Sequence, residues 1–314
     1  MNWEETGIKQ DALERYVEDQ VYSLPGIECH RDAFTVLLTG SRATGFHNPR
    51  SDVDIDVLCP QHMYEAVHRS AMEAGIISTP KSFFVVAPDK GWEQYFGAEI
   101  GRPHFSLTCL DHVASHFRAY SDVWIWVWTH AKAVRDPGGQ FQRMVDAYKG
   151  YPKDVLVGKI KYRWLLAGYW AVELFPYHHS RADADLLPAS AAILNAVNEF
   201  LRVFSLVEGK PFPYTEKLLH HAQSTELGRE FLPMLQNAVD LVVGNAAPHT
   251  QVWDRLDAAA AALIDGDNEA VARFEAVCGE KMVQAGVEPR WVKDDFRNID
   301  ELLLGELGPI PQIG

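Results

Sequence analysis

The sequence predicts an α+β protein in which a mixed sheet with helices is followed by an all-α helical bundle. Short strand-forming runs alternate with helical periodicity in the first part, whereas the chain beyond Phe141 shows helical spacing and almost no strand pattern. Turn-forming residues, Pro137-Gly138-Gly139 and Gly150-Tyr151-Pro152, interrupt the chain between the two parts. We therefore predict one domain over residues 1–140 and a second over residues 141–314.

The first part contains several short runs of strand-forming residues. An apolar run bounded by glycine or an alternation of apolar and polar residues predicts a strand, and the predicted strands are 33–39, 53–57, 82–87 and 104–110. Apolar residues at helical intervals predict helices over 8–23, 61–74 and 122–134. The same spacing in the second part predicts helices over 153–174, 187–208, 215–225, 228–244, 250–265 and 267–285.

Composition is that of an ordinary globular chain. Of 314 residues, 47% are hydrophobic and 23% are charged, which allows a core without covalent cross-links. The four cysteines are scattered without C-x-x-C spacing, as expected of reduced thiols in the cytoplasm. No apolar run approaches the roughly 20 residues that span a bilayer, and the first residues lack signal-peptide features. We expect a soluble cytoplasmic protein that makes no membrane contact.

The formal net charge of −14 bears on the choice of partner. Broad nucleic-acid binding relies on a basic field that neutralises phosphates, so an acidic chain makes nucleic acid an unfavoured partner. An acidic surface suits a small cationic substrate instead. The alternative interpretation is that the charge serves solubility alone.

A glycine-serine pair, Gly40-Ser41, follows the first predicted strand. Glycine has no side chain, so the backbone can approach a phosphate closely. The residues that follow begin a helix, whose first N–H groups attract an anion, and the Ser41 hydroxyl adds a donor. The pair therefore predicts a phosphate-binding turn.

Asp52 and Asp54 lie two residues apart on the next predicted strand, so their side chains share one face. Neighbouring carboxylates repel each other unless cations lie between them, and Mg²⁺ favours carboxylate and phosphate oxygens. Two such ions can activate an attacking oxygen and neutralise a leaving pyrophosphate. Asp56 lies on the same face and is a third predicted metal ligand. The alternative, a solvated edge strand, is disfavoured because aspartate is a poor strand former.

The run Gly40-Ser41-Arg42, followed after a short spacer by Ser51-Asp52-Val53-Asp54-Ile55, resembles the signature of the polymerase-β-like nucleotidyltransferase superfamily. The motif covers about 20 residues directly, and the order of strands extends the resemblance over roughly the first 135. Drug-modifying, tRNA-end-adding and protein-modifying nucleotidyltransferases belong to this superfamily.

The resemblance implies Mg²⁺-dependent transfer of a nucleoside monophosphate, expected to be AMP from ATP, to an acceptor hydroxyl with release of pyrophosphate. Asp52 and Asp54 would hold two Mg²⁺ ions. Gly40, Ser41 and Arg42 would bind the triphosphate.

Many members of this superfamily carry a third acid on a later strand, often as the base that deprotonates the acceptor. The matching strand here, 104–110, places only His104, Ser106 and Thr108 on the relevant face. The flanking acids Glu99 and Asp111 are the predicted catalytic candidates.

Basic residues of the helical part are predicted to contact phosphates, by analogy with related drug-modifying enzymes. Lys159 and Arg163 share a helix face. Lys161 lies between them in sequence, and Lys217 follows a proline-rich turn. The competing interpretation for each is a solvated helix face. The same choice arises for Glu199, as a general base or, preferably, a solvated surface acid.

The predicted acceptor is a small hydroxylated molecule, for which an aminoglycoside-like cation would suit the acidic surface. Two alternatives stay open: transfer to a protein or tRNA, and a catalytically silent, antitoxin-like partner protein that binds nucleotide. For Trp124, Trp126 and Trp128, core packing is favoured over base stacking.

Overall fold

The structure, a computed structural model, describes residues 3–49, 51–77, 84–86, 100, 102–172, 186–243, 255–256, 258–259, 261–263 and 268–292. Two compact units make up the chain, Met1–Lys149 and Gly150–Gly314. Much of the predicted helix 250–265 lies outside the described residues.

The first unit contains a mixed sheet. Its strands, among the described residues, are β1 (Thr35–Leu38), β2 (Val53–Cys59), β3 (Phe84–Val86), β4 (Pro103–Cys109) and β5 (Lys132–Arg135). They lie in the order β3-β4-β2-β1-β5. The central pair β2 and β4 is parallel, and every other pair is antiparallel. The predicted mixed sheet is confirmed.

Helices of the first unit flank this sheet. They are α1 (Gln10–Tyr16), α2 (Gly40–Thr44), α3 (Gln61–Glu73), α4 (Leu110–Arg118), α5 (Asp122–His130) and α6 (Gln140–Ala147). A π-helical turn, Val17–Val21, directly follows α1. The predicted helix 8–23 therefore consists of an α-helical segment and a π-helical segment.

Alternation along the two central strands separates a core face from a polar face. Val53, Ile55 and Val57 of β2 are buried in one apolar cluster with Phe105 of β4. The intervening positions of β2, Asp54 and Asp56, therefore project from the opposite side of the sheet.

Strand β5 corrects the predicted helix 122–134. The helix ends at His130, and Lys132–Arg135 forms an edge strand paired with β1. A four-residue edge strand carries too little periodicity to be distinguished from a helix end, because its hydrogen-bond partners come from a distant part of the chain.

The break between the two units falls between Lys149 and Gly150, at the second of the two predicted turn segments rather than after residue 140. Phe141 of α6 packs in one apolar cluster with Leu37 and Leu58 of the sheet. The segment 141–149 therefore belongs to the first unit.

The tryptophans of α5 pack largely as predicted. Trp126 and Trp128 are buried, and Trp126 stacks on Phe46 with ring centroids 5.7 Å apart. Trp124 is 39% exposed. It stacks on His116 at a centroid distance of 4.8 Å, and Trp128 Nε1 donates a hydrogen bond to His116 Nδ1.

We predict that His116 contributes to acid sensitivity of the first unit. Burial, followed by the nearby His112, lowers the pKa of His116 to about 4 from the ordinary 6.5. The unfolded chain therefore binds more protons between pH 6.5 and 4, so stability from this residue is present above pH 6.5 and is lost as the pH falls through that window. Allowing for its partial exposure, we expect a loss of roughly 1 kcal/mol.

The measurement is urea unfolding of wild type and His116→Phe at pH 7 and pH 4.5. Phenylalanine keeps the stacked ring but cannot gain a proton, so the decrease in unfolding free energy should be smaller in the variant. An equal decrease in both proteins would contradict the assignment.

The second unit is helical in its described part, as predicted. Its helices are α7 (Lys153–Val172), α8 (Leu186–Leu206), α9 (Thr215–Ala222), α10 (Glu226–Val243) and α11 (Glu269–Gln284). Phe274 of α11 lies at the centre of its core, with ring contacts to Trp164, Phe200, Phe204 and Phe231. Among the residues with described positions, no helix has the length and apolar character needed to cross a membrane.

Candidate functional site

The polar face of the central strands brings together Asp52, Asp54 and His104. Each contributes one ligand atom, and the three atoms lie within 4.8 Å of one another. The parallel register places Asp54 directly beside His104, which explains why residues 50 positions apart in sequence meet. Side-chain exposure is 55% for Asp52, 33% for Asp54 and 17% for His104, so the cluster opens to solvent on the Asp52 side.

The imidazole of His104 contacts both carboxylates. Nε2 lies 2.7 Å from Asp54 Oδ1, a hydrogen-bond distance, and Nδ1 lies 3.9 Å from Asp52 Oδ2. Burial alone would lower the pKa of His104, but the hydrogen bond and charge of Asp54, together with the charges of Asp52 and Asp56, outweigh it and raise that pKa. The acidic neighbours therefore favour the protonated ring.

Gly40 makes room for the carboxylate of Asp54. Its φ is +64°, and a Cβ built at this position would lie 1.8 Å from Asp54 Oδ2. Any other residue would combine an unfavourable left-handed backbone with a direct clash. Gly40 begins α2, and Ser41 follows it partly exposed. Gly40 thus leaves space for a carboxylate of the site, and the predicted approach of a phosphate to its backbone stays a prediction.

Asp56 has a different environment from the one predicted for a metal ligand. Thr39 Oγ1 donates to its Oδ2 at 2.7 Å, and Ser106 Oγ donates to its Oδ1. Burial raises the pKa of Asp56, although both hydrogen bonds oppose the shift. Asp56 is not part of the three-residue cluster found among the described residues. Its contacts instead join β2 to β4 and to the end of β1.

Arg42 forms hydrogen bonds with backbone carbonyl oxygens, which corrects its predicted contact with the triphosphate. Its buried guanidinium donates to the carbonyl oxygens of Asp52, Ser51 and Thr6 at 2.9–3.2 Å. Burial lowers its pKa, and the charge of Asp52 opposes that shift. Through these bonds Arg42 fixes the chain immediately before β2, and so the position at which Asp52 enters the site.

The two predicted candidates for a third catalytic acid have different outcomes. Asp111 is exposed in the first turn of α4, beyond the end of β4 opposite to His104. The five-residue step from His104 to Cys109 alone spans about 16 Å of strand, so the structure does not bring Asp111 to the cluster. Glu99 lies outside the described residues and stays a prediction.

The predicted basic residues of the helical unit are held by aromatic rings or a carboxylate. Lys159 is buried with its Nζ 5.4 Å from the Tyr151 ring centroid, and Lys161 Nζ lies 4.8 Å from that of Trp291. Lys217 Nζ lies 3.4 Å from Glu216 Oε1. Their role in phosphate binding stays a prediction.

His104 is the site residue that sequence reasoning missed. His104 occupies the strand face on which the resembling superfamily carries an acid, and this replacement is the signal that the sequence contains. Parallel pairing then sets the residue beside Asp54. Histidine is itself a common metal ligand, so the replacement preserves a ligand in chemical terms.

The donor set fits a divalent cation. Ligands about 2.1 Å from an octahedral ion lie roughly 3.0 to 4.2 Å apart. The three ligand atoms of this cluster lie within 4.8 Å of one another, so a small side-chain adjustment brings them to one ion. Asp52 and Asp54 are the residues that would hold the ion.

Comparison with known proteins agrees with the motif. The family model described as "Nucleotidyltransferase domain" matches residues 29–102, which contain Gly40, Asp52 and Asp54. This match shows a nucleotidyltransferase domain within the first unit and supports the resemblance to the polymerase-β-like superfamily. No curated protein matches the sequence.

Among solved structures, the chain is similar to a crystal structure of a nucleotidyltransferase-like protein from Exiguobacterium sibiricum. The TM-score is 0.42 at 10% sequence identity, with 94% of this chain and 89% of the other covered. A similarity this distant carries no argument about substrate or mechanism.

Proposed function

We propose, on the premise that residues 29–102 form a nucleotidyltransferase domain, that the protein transfers a nucleoside monophosphate from an NTP to a hydroxyl of a small molecule. ATP is the expected donor, and pyrophosphate is released. The observation that carries this proposal is the pair Asp52 and Asp54 on one strand face, within metal-ligand distance of each other and beside Gly40.

Residues of the first unit have separate roles in binding the metal, binding the triphosphate and positioning the site. Asp52 and Asp54 bind the divalent metal, which when bound neutralises the leaving pyrophosphate and favours ionisation of the attacking hydroxyl. Ser41, next to Gly40, donates to the triphosphate. Arg42 positions Asp52 by binding its backbone carbonyl oxygen, and Gly40 positions Asp54 by leaving space for its carboxylate. Asp56, held by Thr39 and Ser106, keeps the central strands in register.

A small acceptor is supported by charge. The net charge of −14 disfavours binding of a nucleic-acid phosphate backbone and favours a cationic or neutral hydroxylated molecule as acceptor.

The basic residues Lys159, Lys161 and Lys217 of the helical unit are proposed to contact phosphates. Transfer to tRNA or to a protein is the competing acceptor class.

The first experiment is a thermal-shift measurement with ATP, GTP, CTP and UTP, each with and without divalent metal. We expect stabilisation by one NTP that requires the metal and is lost in the double variant Asp52→Asn/Asp54→Asn. The matched control is Asp32→Asn, an exposed aspartate of the same unit, which should respond as wild type does.

The nucleotide identified in this way is then used to screen acceptors by pyrophosphate release. Release that depends on a small hydroxylated compound supports the proposal. Release only with tRNA or protein would replace the acceptor class, and a protein that binds no NTP in any condition would contradict nucleotidyl transfer altogether.

A further inference from the structure

We infer that His104 is a ligand of the catalytic metal, and that the site therefore prefers Mn²⁺, a divalent ion that accepts imidazole nitrogen, to Mg²⁺. The inference deepens the proposed function and rests on it, because it concerns the metal held by Asp52 and Asp54. It departs from the expectation of a site with oxygen ligands only.

Geometry places His104 within the cluster rather than behind it. Its residue position pairs with that of Asp54 across the parallel strands, and its ring contacts both aspartates. A residue that only supported the ligands would contact one carboxylate from outside. Here one ring nitrogen faces each of them.

The two nitrogens have different distances to the carboxylates, and this difference assigns their roles. Nε2 lies 2.7 Å from Asp54 Oδ1, close to the roughly 3.0 Å between neighbouring ligands of one ion, so an ion that takes the place of the shared proton is bound by both atoms. The neutral imidazole then carries its proton on Nδ1. Nδ1 lies 3.9 Å from Asp52 Oδ2, which exceeds a hydrogen bond and leaves that oxygen to bind the ion.

Asp54 thereby has a second task. Before an ion binds, the contact between Nε2 and Asp54 Oδ1 orients the ring, and β4 holds the His104 backbone in register with β2. The arrangement is ready before any metal arrives.

Metal preference follows from the ligand types. Mg²⁺ favours oxygen ligands and retains its waters, whereas imidazole suits transition metals, which bind mixed nitrogen and oxygen sites more strongly. Replacing an oxygen ligand by the His104 nitrogen therefore shifts the balance toward Mn²⁺.

The test uses the full-length protein with metal alone, at pH 8.5 because a ligating histidine must be neutral. Electron spin echo spectroscopy of bound Mn²⁺ should show coupling to an imidazole nitrogen in wild type and none in His104→Asp. Titration calorimetry should show that the ratio of the Mg²⁺ to the Mn²⁺ dissociation constant falls by at least about ten-fold in that variant. His62→Asp, an exposed histidine of α3, should match wild type in both measurements.

Absence of nitrogen coupling in wild type would overturn the inference without any variant, so a folding defect in His104→Asp cannot mask the answer. Coupling that persists in His104→Asp, or an unchanged ratio of dissociation constants, would also overturn it. No nucleotide or acceptor is present, so failure of nucleotidyl transfer would leave these results intact. Conversely, transfer without nitrogen coupling would reject only this inference.

Discussion

Gly40→Ala should abolish most nucleotide binding and transfer while leaving a folded protein. The new methyl group would lie 1.8 Å from Asp54 Oδ2, so either the carboxylate or the start of α2 must move. A misplacement of about 1 Å at a reacting centre can cost roughly 100-fold in rate, and we expect a loss of that size in kcat. The affinity for the metal–NTP complex should fall as well, because Asp54 is proposed to bind the metal.

The matched control for this prediction is Gly75→Ala. Gly75 has nearly the same backbone conformation, with φ of +70°, but nothing lies within 4 Å of its added Cβ. Both variants should lose about 1–2 kcal/mol of unfolding free energy from the left-handed backbone, and only Gly40→Ala should lose nucleotide binding by calorimetry. Equal binding in the two variants would show that the space beside Asp54 is not required.

Glu199→Ala should destabilise the helical unit by about 3–5 kcal/mol, because it removes the carboxylate between two partly buried guanidinium groups. Arg163 Nη1 lies 3.1 Å from Glu199 Oε2, and Arg202 pairs with Oε1 of the same carboxylate. The side chain of Glu199 is only 6% exposed. Without it, two positive charges would remain close together with little access to water.

Hydrogen exchange followed by mass spectrometry separates this effect from the sheet unit. Peptides from α7 and α8 should exchange more than about 100-fold faster in Glu199→Ala, as 3 kcal/mol requires, and peptides from the β1–β2 region should be unchanged. Glu216→Ala removes an exposed acid beside Lys217 and should change stability by less than about 0.5 kcal/mol. A similarly small effect for Glu199→Ala would contradict the assignment.

Glu199 illustrates where interpretation of the sequence was wrong. On helical spacing alone, a solvated surface acid was the preferred interpretation, yet the residue is buried in an ion pair. Its partner Arg163 lies 36 positions earlier on another helix. Periodicity along one helix identifies the face a residue occupies, but it does not show which faces of two helices meet.

The sequence by itself determined the class of fold and the acidic strand face that follows Gly40-Ser41. The strand run before Gly40 and the alternating acids of β2 are local patterns, and their steric and electrostatic consequences hold wherever the segment lies. The match of a nucleotidyltransferase domain to residues 29–102 supports the general class of activity predicted from these patterns.

Only the tertiary structure decided which residues complete the site. Parallel pairing of β2 with β4 brings His104 to Asp54 and leaves Asp111 at the far end, and burial directs Arg42 to backbone carbonyls. Contacts between strands depend on register and on the direction of each strand. Register is fixed by packing across the whole sheet, and residues far apart in sequence carry no local signal of it.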